Sequence, residues 1–225
     1  MLTTEKRKII TVSREKGWVL EPDAKRLFAS AGLDVPHFKV VTRLDEAIHH
    51  AHAIGYPVVA KIVSPRVIHK TEKNGVILGI DSDEKVAEAF QHLHQIEGFA
   101  GMLIEETVSG VELIVGAKID DQFGPIILMG IGGTAVEIYQ DVVLRMAPLR
   151  EEDVGLMVKC LKAHQLLEGY RGAEPVNMKE LTRLFLTFSN LVMDLEPEIE
   201  SIDLNPVICA QKRCVVADAR IILKK

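Results

Sequence analysis

Residues 55–76, GYPVVAKIVSPRVIHKTEKNGV, join an apolar strand to a basic segment and lead back into a second strand. YPVVAKIV (56–63) has the length and β-branched content of a buried strand, and GVILGI (75–80) has the same character. The surrounding chain has the 3.6-residue periodicity of amphipathic helices, in residues 22–31, 43–54 and 82–96. Strands that alternate with helices in this way predict an α+β or α/β fold.

The second half of the chain is richer in strands. Long apolar runs with few polar insertions occupy residues 102–108, 111–119, 125–133 and 142–149. Helices are predicted over 151–163 and 178–195, and a closing strand pair over 200–208 and 213–222. We therefore expect two lobes with a boundary near residue 101. The predicted parts are an N-terminal extension (1–20), an N-terminal lobe (21–101) and a C-terminal lobe (102–225).

Composition argues against several classes of protein. The 225 residues include 27 Lys and Arg against 32 Asp and Glu, a formal net charge of −5. This mild acidity argues against a general nucleic-acid-binding protein. No run approaches the roughly 18 apolar residues of a membrane span, and the N-terminus lacks the apolar run of a signal peptide. Because Cys160, Cys209 and Cys214 lack the spacing of a zinc site, we expect free thiols and a cytoplasmic protein.

Lys61 stands in the middle of an apolar strand, where its ammonium group must reach an anion or the edge of a cleft. Two interpretations stay open: contact with a phosphate, or a side chain that extends to the surface. The stretch after it, SPRVIHKTEKNGV (64–76), offers cations, a hydroxyl and backbone N–H groups to a phosphate. A solvated basic turn fits this stretch equally well. It lacks the glycine spacing of a P-loop, and GIGGT (130–134) lacks the spacing of a Rossmann dinucleotide site.

Hard oxygen ligands occur near the C-terminus. IDLNP (202–206) places Asp203 and Asn205 on one strand face, and Asp218 follows in VVADARI. If the two strands pair as a hairpin, the three side chains converge, which suits Mg²⁺ together with substrate phosphates. The alternative is a set of isolated polar residues at strand ends.

Six further charged residues stand within or beside apolar strands or in short loops. Four of them are carboxylates that need donors or a metal in such surroundings, namely Glu105, Glu106, Glu112 and Glu137. Arg145 and Arg171 offer the guanidinium fork that binds phosphoryl oxygens, although a structural ion pair is the alternative for each. Taken with Lys61, this set indicates a protein that binds a nucleotide and its metal.

The chain resembles the ATP-grasp (β) subunit of the ADP-forming acetate- and acyl-CoA synthetases, which are relatives of the succinyl-CoA synthetase β chain. The matching stretches follow the family's order and span nearly the whole chain. They are residues 55–76, VELIVGAKIDDQFGPIILMGIGGTAVEIYQDVVLRMAPL (111–149), LLEGYRG (166–172), IDLNPV (202–207) and VVADARIIL (215–223). Asn74 stands where the family usually has a glycine, and Asn tolerates left-handed backbone geometry better than most residues.

The resemblance implies an ATP-grasp fold, in which two α+β lobes hold an adenine nucleotide, ATP or ADP, between them. His69 then corresponds to the histidine of the family's mobile loop, which relays a phosphoryl group, and Arg145 and Arg171 line the phosphate path. The residues implied at the nucleotide are Lys61, Glu105, Glu106, Val108 and Glu112, and those implied at Mg²⁺ are Asp203, Asn205 and Asp218.

The implied reaction is acyl-CoA + ADP + phosphate ⇌ acid + CoA + ATP, through phosphohistidine. Because the sequence shows no CoA-binding Rossmann domain, the resemblance implies an α subunit that carries one, in a hetero-oligomer such as α2β2. Two alternatives stay open. One is a stand-alone ATP-grasp carboxylate–amine or carboxylate–thiol ligase, and the other is a non-catalytic nucleotide-sensing module.

Overall fold

The computed structural model describes residues 3–133 and 141–224, which fall into two units. Unit 1 consists of Met1–Val35 and Ser109–Lys225, and unit 2 is the continuous segment Pro36–Val108. These divisions differ from the predicted boundaries at residues 20 and 101. Thr134, the last residue of the GIGGT stretch, and Glu137 lie outside the described residues.

Unit 2 contains a four-stranded antiparallel sheet in the order β2-β5-β3-β4. Its elements are β2 (Phe38–Val41), α3 (Leu44–Ile54), β3 (Val58–Val63), β4 (Val76–Ile80), α4 (Asp83–His94) and β5 (Gly101–Glu106). Both helices are amphipathic, and Ala47 of α3 and Leu93 of α4 pack against Ala60 and Ile104 of the sheet. Every residue of β3 is buried, so this strand is buried on the face that the helices cover and also on its other face.

Unit 1 contains, within the described residues, a seven-stranded sheet in the order β1-β11-β9-β6-β7-β8, with β10 also paired to β9. Its strands are β1 (Trp18–Val19), β6 (Val111–Asp120), β7 (Gly124–Ile131), β8 (Val142–Met146), β9 (Ile199–Cys209), β10 (Cys214–Val216) and β11 (Arg220–Leu223). Its helices are α1 (Thr4–Ser13), α2 (Glu21–Ser30), α5 (Glu151–Cys160) and α6 (Met178–Leu195). The core forms where α6 buries Phe185 and Phe188 together with inward-facing strand residues such as Val115 and Leu204.

The first 35 residues belong to unit 1 because β1 pairs with β11 near the other end of the chain, with Trp18 opposite Ile222. The predicted extension over residues 1–20 therefore contains a helix, α1, and an edge strand of the main sheet. The predicted closing pair is present, but its second strand is divided into β10 and β11. The architecture is α+β, as expected, and none of the described helices is long and apolar enough to cross a membrane.

Candidate functional site

Lys61 and Glu105 form a buried ion pair in unit 2. In the register of β3 and β5, Lys61 lies opposite Leu103 and Glu105 lies opposite Val59, so the two charged side chains share one face of the sheet. Lys61 Nζ lies 2.8 Å from Glu105 Oε1, and the side chains are 6% and 3% exposed. The sequence left open a contact with an anion or a side chain that extends to the surface, and the structure places a carboxylate of the neighbouring strand beside this ammonium. Such a pair can hold a lysine in position for an anionic ligand.

Glu106 and Val108 lie at the end of β5, where unit 2 ends. Glu106 is held in place by the backbone of His37, because the His37 N–H donates to Glu106 Oε1 at 3.0 Å and the Glu106 N–H donates to the His37 carbonyl at 3.0 Å. Val108, two residues later, is half-buried. These two hydrogen bonds fix the backbone and the Glu106 side chain at the end of β5.

His69 lies in the connection between β3 and β4, residues 64–75, which we call the His69 segment. Its side chain is 60% exposed, and its Nδ1 lies 3.9 Å from Glu72 Oε1. A 3₁₀ turn at Thr71–Lys73 ends at Asn74, whose φ of 52° and ψ of 31° lie in the left-handed region. Asn74 therefore occupies a backbone position that glycine adopts most readily and that Asn tolerates better than most residues. An exposed imidazole on a short connection is available to an external phosphoryl group.

Asp203, Asn205 and Asp218 come together through strand pairing in unit 1. Asp203 and Asn205 lie on β9, and Asp218 lies between β10 and β11, both of which pair with β9. The Asp218 N–H lies 3.4 Å from the Pro206 carbonyl oxygen, which places Asp218 beside the Asn205–Pro206 bond. The hairpin needed to bring these three residues together is thus present.

This oxygen set fits Mg²⁺ in its chemistry. Among the described residues, no three His, Cys, Asp or Glu side chains group as a metal site by themselves. Two carboxylates and one amide match the preference of Mg²⁺ for few protein ligands, with waters and substrate phosphates completing the shell. Asp203 already has a cationic neighbour, since Arg220 Nη2 lies 3.1 Å from Asp203 Oδ2.

An apolar depression of about 330 Å³ adjoins Asp203 on the same sheet face. The residues that line it include one from each of four adjacent strands, which lie opposite one another in the register: Asp203, Gly116, Leu128 and Leu144. Glu112, farther along β6, lies opposite Ile208 of β9, and its side chain is exposed. Because Leu113 is in the core, the alternation of the strand turns Glu112 to the face of Asp203.

Arg145 does not share this face with Asp203, and its role along a phosphate path stays a prediction. It lies opposite Ile127 of β7, which lies opposite Ala117 of β6, and both are buried in the core. On β8 it is Leu144, the residue before Arg145, that lies on the face of Asp203. The sequence showed an arginine in an apolar strand, but only the register reveals which face it occupies.

Arg171 lies in the exposed loop between α5 and α6. It has a left-handed φ of 54°, and its guanidinium carbon lies 5.3 Å from the centroid of the Tyr170 ring. The left-handed position projects this arginine from a tight turn flanked by Gly169 and Gly172, both at positive φ. No described contact joins it to Asp203.

The sequence analysis missed two contacts in the candidate site. Arg220, the partner of Asp203, has a usable signal, since it follows Asp218 by two positions and must lie on the same strand face in an extended chain. His92 of α4 has no such signal. Its Nε2 lies 3.0 Å from the backbone carbonyl of Asn74 in the His69 segment, a contact that depends on tertiary structure.

Known proteins are similar to this chain over most of its length. Residues 11–223 match the family model described as ATP-grasp domain. The chain is 40% identical over 213 residues to the ADP-forming acetate–CoA ligase I subunit beta of Pyrococcus furiosus, a match that covers 91% of each chain. It is 37% identical over 214 residues to the ADP-forming acetate–CoA ligase I of Archaeoglobus fulgidus, covering 92% of this chain and 31% of that protein.

A solved structure is similar over nearly the whole chain. It is the acetyl-coenzyme A synthetase 1 of Ca. Korarchaeum cryptofilum in complex with coenzyme A and Mg-AMPPCP, with its phosphohistidine segment pointing towards the nucleotide binding site. The match has a TM-score of 0.85 and 39% identity, and it covers 97% of this chain and 100% of the other.

Proposed function

The chain belongs to the ATP-grasp family, among the β subunits of ADP-forming acetate–CoA ligases, and from this premise we propose that it binds ADP or ATP with Mg²⁺ and relays a phosphoryl group through His69. The complete reaction is acyl-CoA + ADP + phosphate ⇌ acid + CoA + ATP. The Korarchaeum relative supports the proposal, because its complex contains Mg-AMPPCP and a phosphohistidine segment directed at the nucleotide site.

One observation carries this proposal: a single strand connects the two functions. β3 bears the buried Lys61 near its middle and ends at Val63, directly before the segment that carries the exposed His69. A rigid, fully buried strand fixes the root of the segment relative to the lysine. Catalysis of phosphoryl transfer depends mainly on such positioning and on cations that stabilise charge.

The proposed step within this chain is reversible phosphoryl exchange between His69 and the nucleotide. An unprotonated ring nitrogen of His69 attacks the γ-phosphorus of ATP, and a new N–P bond forms. The bond between this phosphorus and the bridging oxygen breaks, and ADP leaves with the electron pair. Synthesis of ATP is the reverse step, in which ADP attacks the phosphohistidine and restores the neutral imidazole.

The remaining candidates have supporting roles in the proposal. The Lys61 ammonium, oriented by Glu105, binds phosphate oxygens, and Arg171 is a second proposed phosphate contact. Asp203, Asn205 and Asp218 would hold Mg²⁺, which when bound neutralises phosphate charge. The proposed contacts to the base and ribose are Glu106, Val108 and Glu112.

We also propose a partner subunit. The Pyrococcus relative is named as a beta subunit, and the chain spans only 31% of the Archaeoglobus relative. Both facts support a separate α chain that carries the CoA-binding domain, in an α2β2 assembly in the cytoplasm. Co-purification from native cells, followed by mass measurement of the intact complex, tests this arrangement, and a β chain with full acyl-CoA turnover alone would contradict it.

Replacement of His69 by alanine tests the relay. We expect the full-length chain, incubated with Mg²⁺ and [γ-³²P]ATP, to acquire acid-labile label, and His69→Ala to lose it because no other group takes its place. His49→Ala is the matched control, since His49 is also an exposed histidine of unit 2. Unchanged labelling of His69→Ala would refute the assigned role.

A further inference from the structure

We propose that His92 and Glu97 are positioning residues that anchor the two ends of the His69 segment and thereby set the point from which His69 exchanges its phosphoryl group. The inference rests on the proposed function of His69. Both anchors lie at one end of α4 or in the turn that follows it, and both hold the segment through hydrogen bonds.

The first anchor holds the beginning of the segment. Ser64 Oγ donates to the Glu97 carbonyl at 3.0 Å and accepts the Arg66 N–H at 3.1 Å. The Arg66 guanidinium forms an ion pair with the Glu97 carboxylate, so Glu97 binds the segment through its backbone and its side chain. Gly98, at a φ of +73°, allows this approach, because a Cβ there would lie 2.8 Å from Ser64 Oγ.

The second anchor holds the end of the segment. His92 Nε2 lies 3.0 Å from the Asn74 carbonyl oxygen, a contact in which the ring N–H must donate. The next residue, Gly75, closes the turn, since its N–H donates to the Lys70 carbonyl at 2.7 Å and its carbonyl accepts the Ile62 N–H at 2.8 Å. His92 therefore holds a turn that is already tied to β3.

The base of both anchors is rigid, whereas the residues between them are exposed. α4 buries Val86, Ala89 and Leu93 in the core of unit 2, so its end cannot shift without disturbing that core. His69 lies between the two anchors with a 60% exposed side chain. Release of one anchor widens the range of positions open to the imidazole, which lowers the fraction poised for transfer. The Lys61–Glu105 pair makes no hydrogen bond to either anchor in the described contacts, so nucleotide binding is expected to persist.

The test uses His92→Ala in the full-length chain with two readouts. Amide hydrogen exchange of residues 70–75 should accelerate, because the turn loses its tie to α4. The maximal rate of labelling of His69 by Mg-[γ-³²P]ATP should fall by about 10-fold or more, while the ATP concentration at half-maximal rate changes by less than about twofold. His92→Gln, whose amide can donate to the same carbonyl, should restore most of the rate.

Two further variants complete the experiment. Glu97→Ala, which removes the ion pair with Arg66 but keeps the hydrogen bond from Ser64 to the backbone carbonyl of residue 97, should give a smaller loss of rate with faster exchange at residues 64–66. Gln91→Ala is the matched control, an exposed residue next to His92 on the same helix, and it should behave as the unmodified chain.

The outcomes separate the anchors from the relay. Normal labelling and normal exchange in His92→Ala would overturn the inference, and so would an equal loss of rate in His92→Gln. If the unmodified chain takes no label, the proposed relay fails, and the exchange measurement still decides whether His92 holds the turn. A lowered thermal midpoint in His92→Ala without faster local exchange would also contradict a positioning role.

Discussion

At the scale of the residue, the buried pair of Lys61 and Glu105 depends on both of its charges. Removal of one charge leaves the other in a medium that solvates it poorly, whereas removal of both avoids that cost. We expect Lys61→Met to lower the free energy of unfolding by about 3–5 kcal/mol, measured by urea denaturation. The double variant Lys61→Met/Glu105→Leu should recover much of this loss, and additive effects of the two substitutions would contradict a coupled pair.

Gly75 provides a second prediction at this scale. A Cβ at this position would lie 2.5 Å from Ile62 Cγ2 and 3.0 Å from the Lys70 carbonyl oxygen, so Gly75→Ala must displace the turn or the strand. We expect Gly75→Ala to lower the free energy of unfolding, measured by urea denaturation, by about 1–3 kcal/mol, as for overpacking in a core. Gly155→Ala is the control. Gly155 lies inside α5, and a Cβ there would have no neighbour within 4 Å, so this substitution should leave the stability unchanged or increase it. Equal stability of the two variants would contradict the close packing at Gly75.

At the scale of the element, the hairpin of β9 and β10 brings two cysteines together. Cys209 and Cys214 are opposite each other in the register, and both thiols are free and buried. A hydrogen bond with Cys214, together with burial, raises the pKa of Cys209 well above its usual range, which suppresses the reactive thiolate. We therefore expect iodoacetamide at about pH 8, below the ordinary thiol pKa, to modify Cys160 alone of the three in the folded chain.

Peptide mapping by mass spectrometry checks this expectation. All three cysteines should be modified after denaturation, which is the internal control. Because the pKa of Cys209 is raised well above its usual range, an increase in pH through the ordinary thiol range should leave Cys209 unmodified. Modification of Cys209 in the folded chain would contradict its placement in the hairpin.

The same elements show what sequence can and cannot predict. Periodicity identified most strands and helices because alternation and the 3.6-residue repeat are local properties, and the IDLNP motif indicated a face of oxygen ligands that the pairing of β9 with β10 and β11 brings together. The sheet face of Arg145 could not be predicted, because it depends on the register of β8 with β7. His92 was missed because its partner is a backbone carbonyl in another element.

At the scale of the whole molecule, unit 2 is a continuous segment with its own core, whereas unit 1 is assembled from two separate parts of the chain. We expect residues 36–108, expressed alone, to fold cooperatively with a stability of at most about 3–5 kcal/mol, because a core of this size supplies little more. Circular dichroism during thermal unfolding measures this. Ala60→Asp, which places a charge in the core of unit 2, is the control and should abolish the transition, while a wild-type fragment without cooperative unfolding would refute the prediction.

The units of the structure differ from the predicted domains for two physical reasons. The predicted boundary near residue 101 falls at the start of β5, which the structure places inside unit 2. The assignment of the first residues to unit 1 depends on β1 pairing with β11, and a single sequence contains no local signal for a contact between its two ends.

That pairing has a consequence for synthesis on the ribosome. β1 is translated long before its partner β11, so this edge of the large sheet stays open until β11 has left the exit tunnel. Unit 2 has all of its strands outside the exit tunnel much earlier and can fold while translation continues. During this interval the nascent chain contains a folded unit 2 together with the apolar strand β1, whose pairing partner has not yet been made. An unpaired apolar strand can pair with other chains, so this is the stage at which a chaperone protects the chain most.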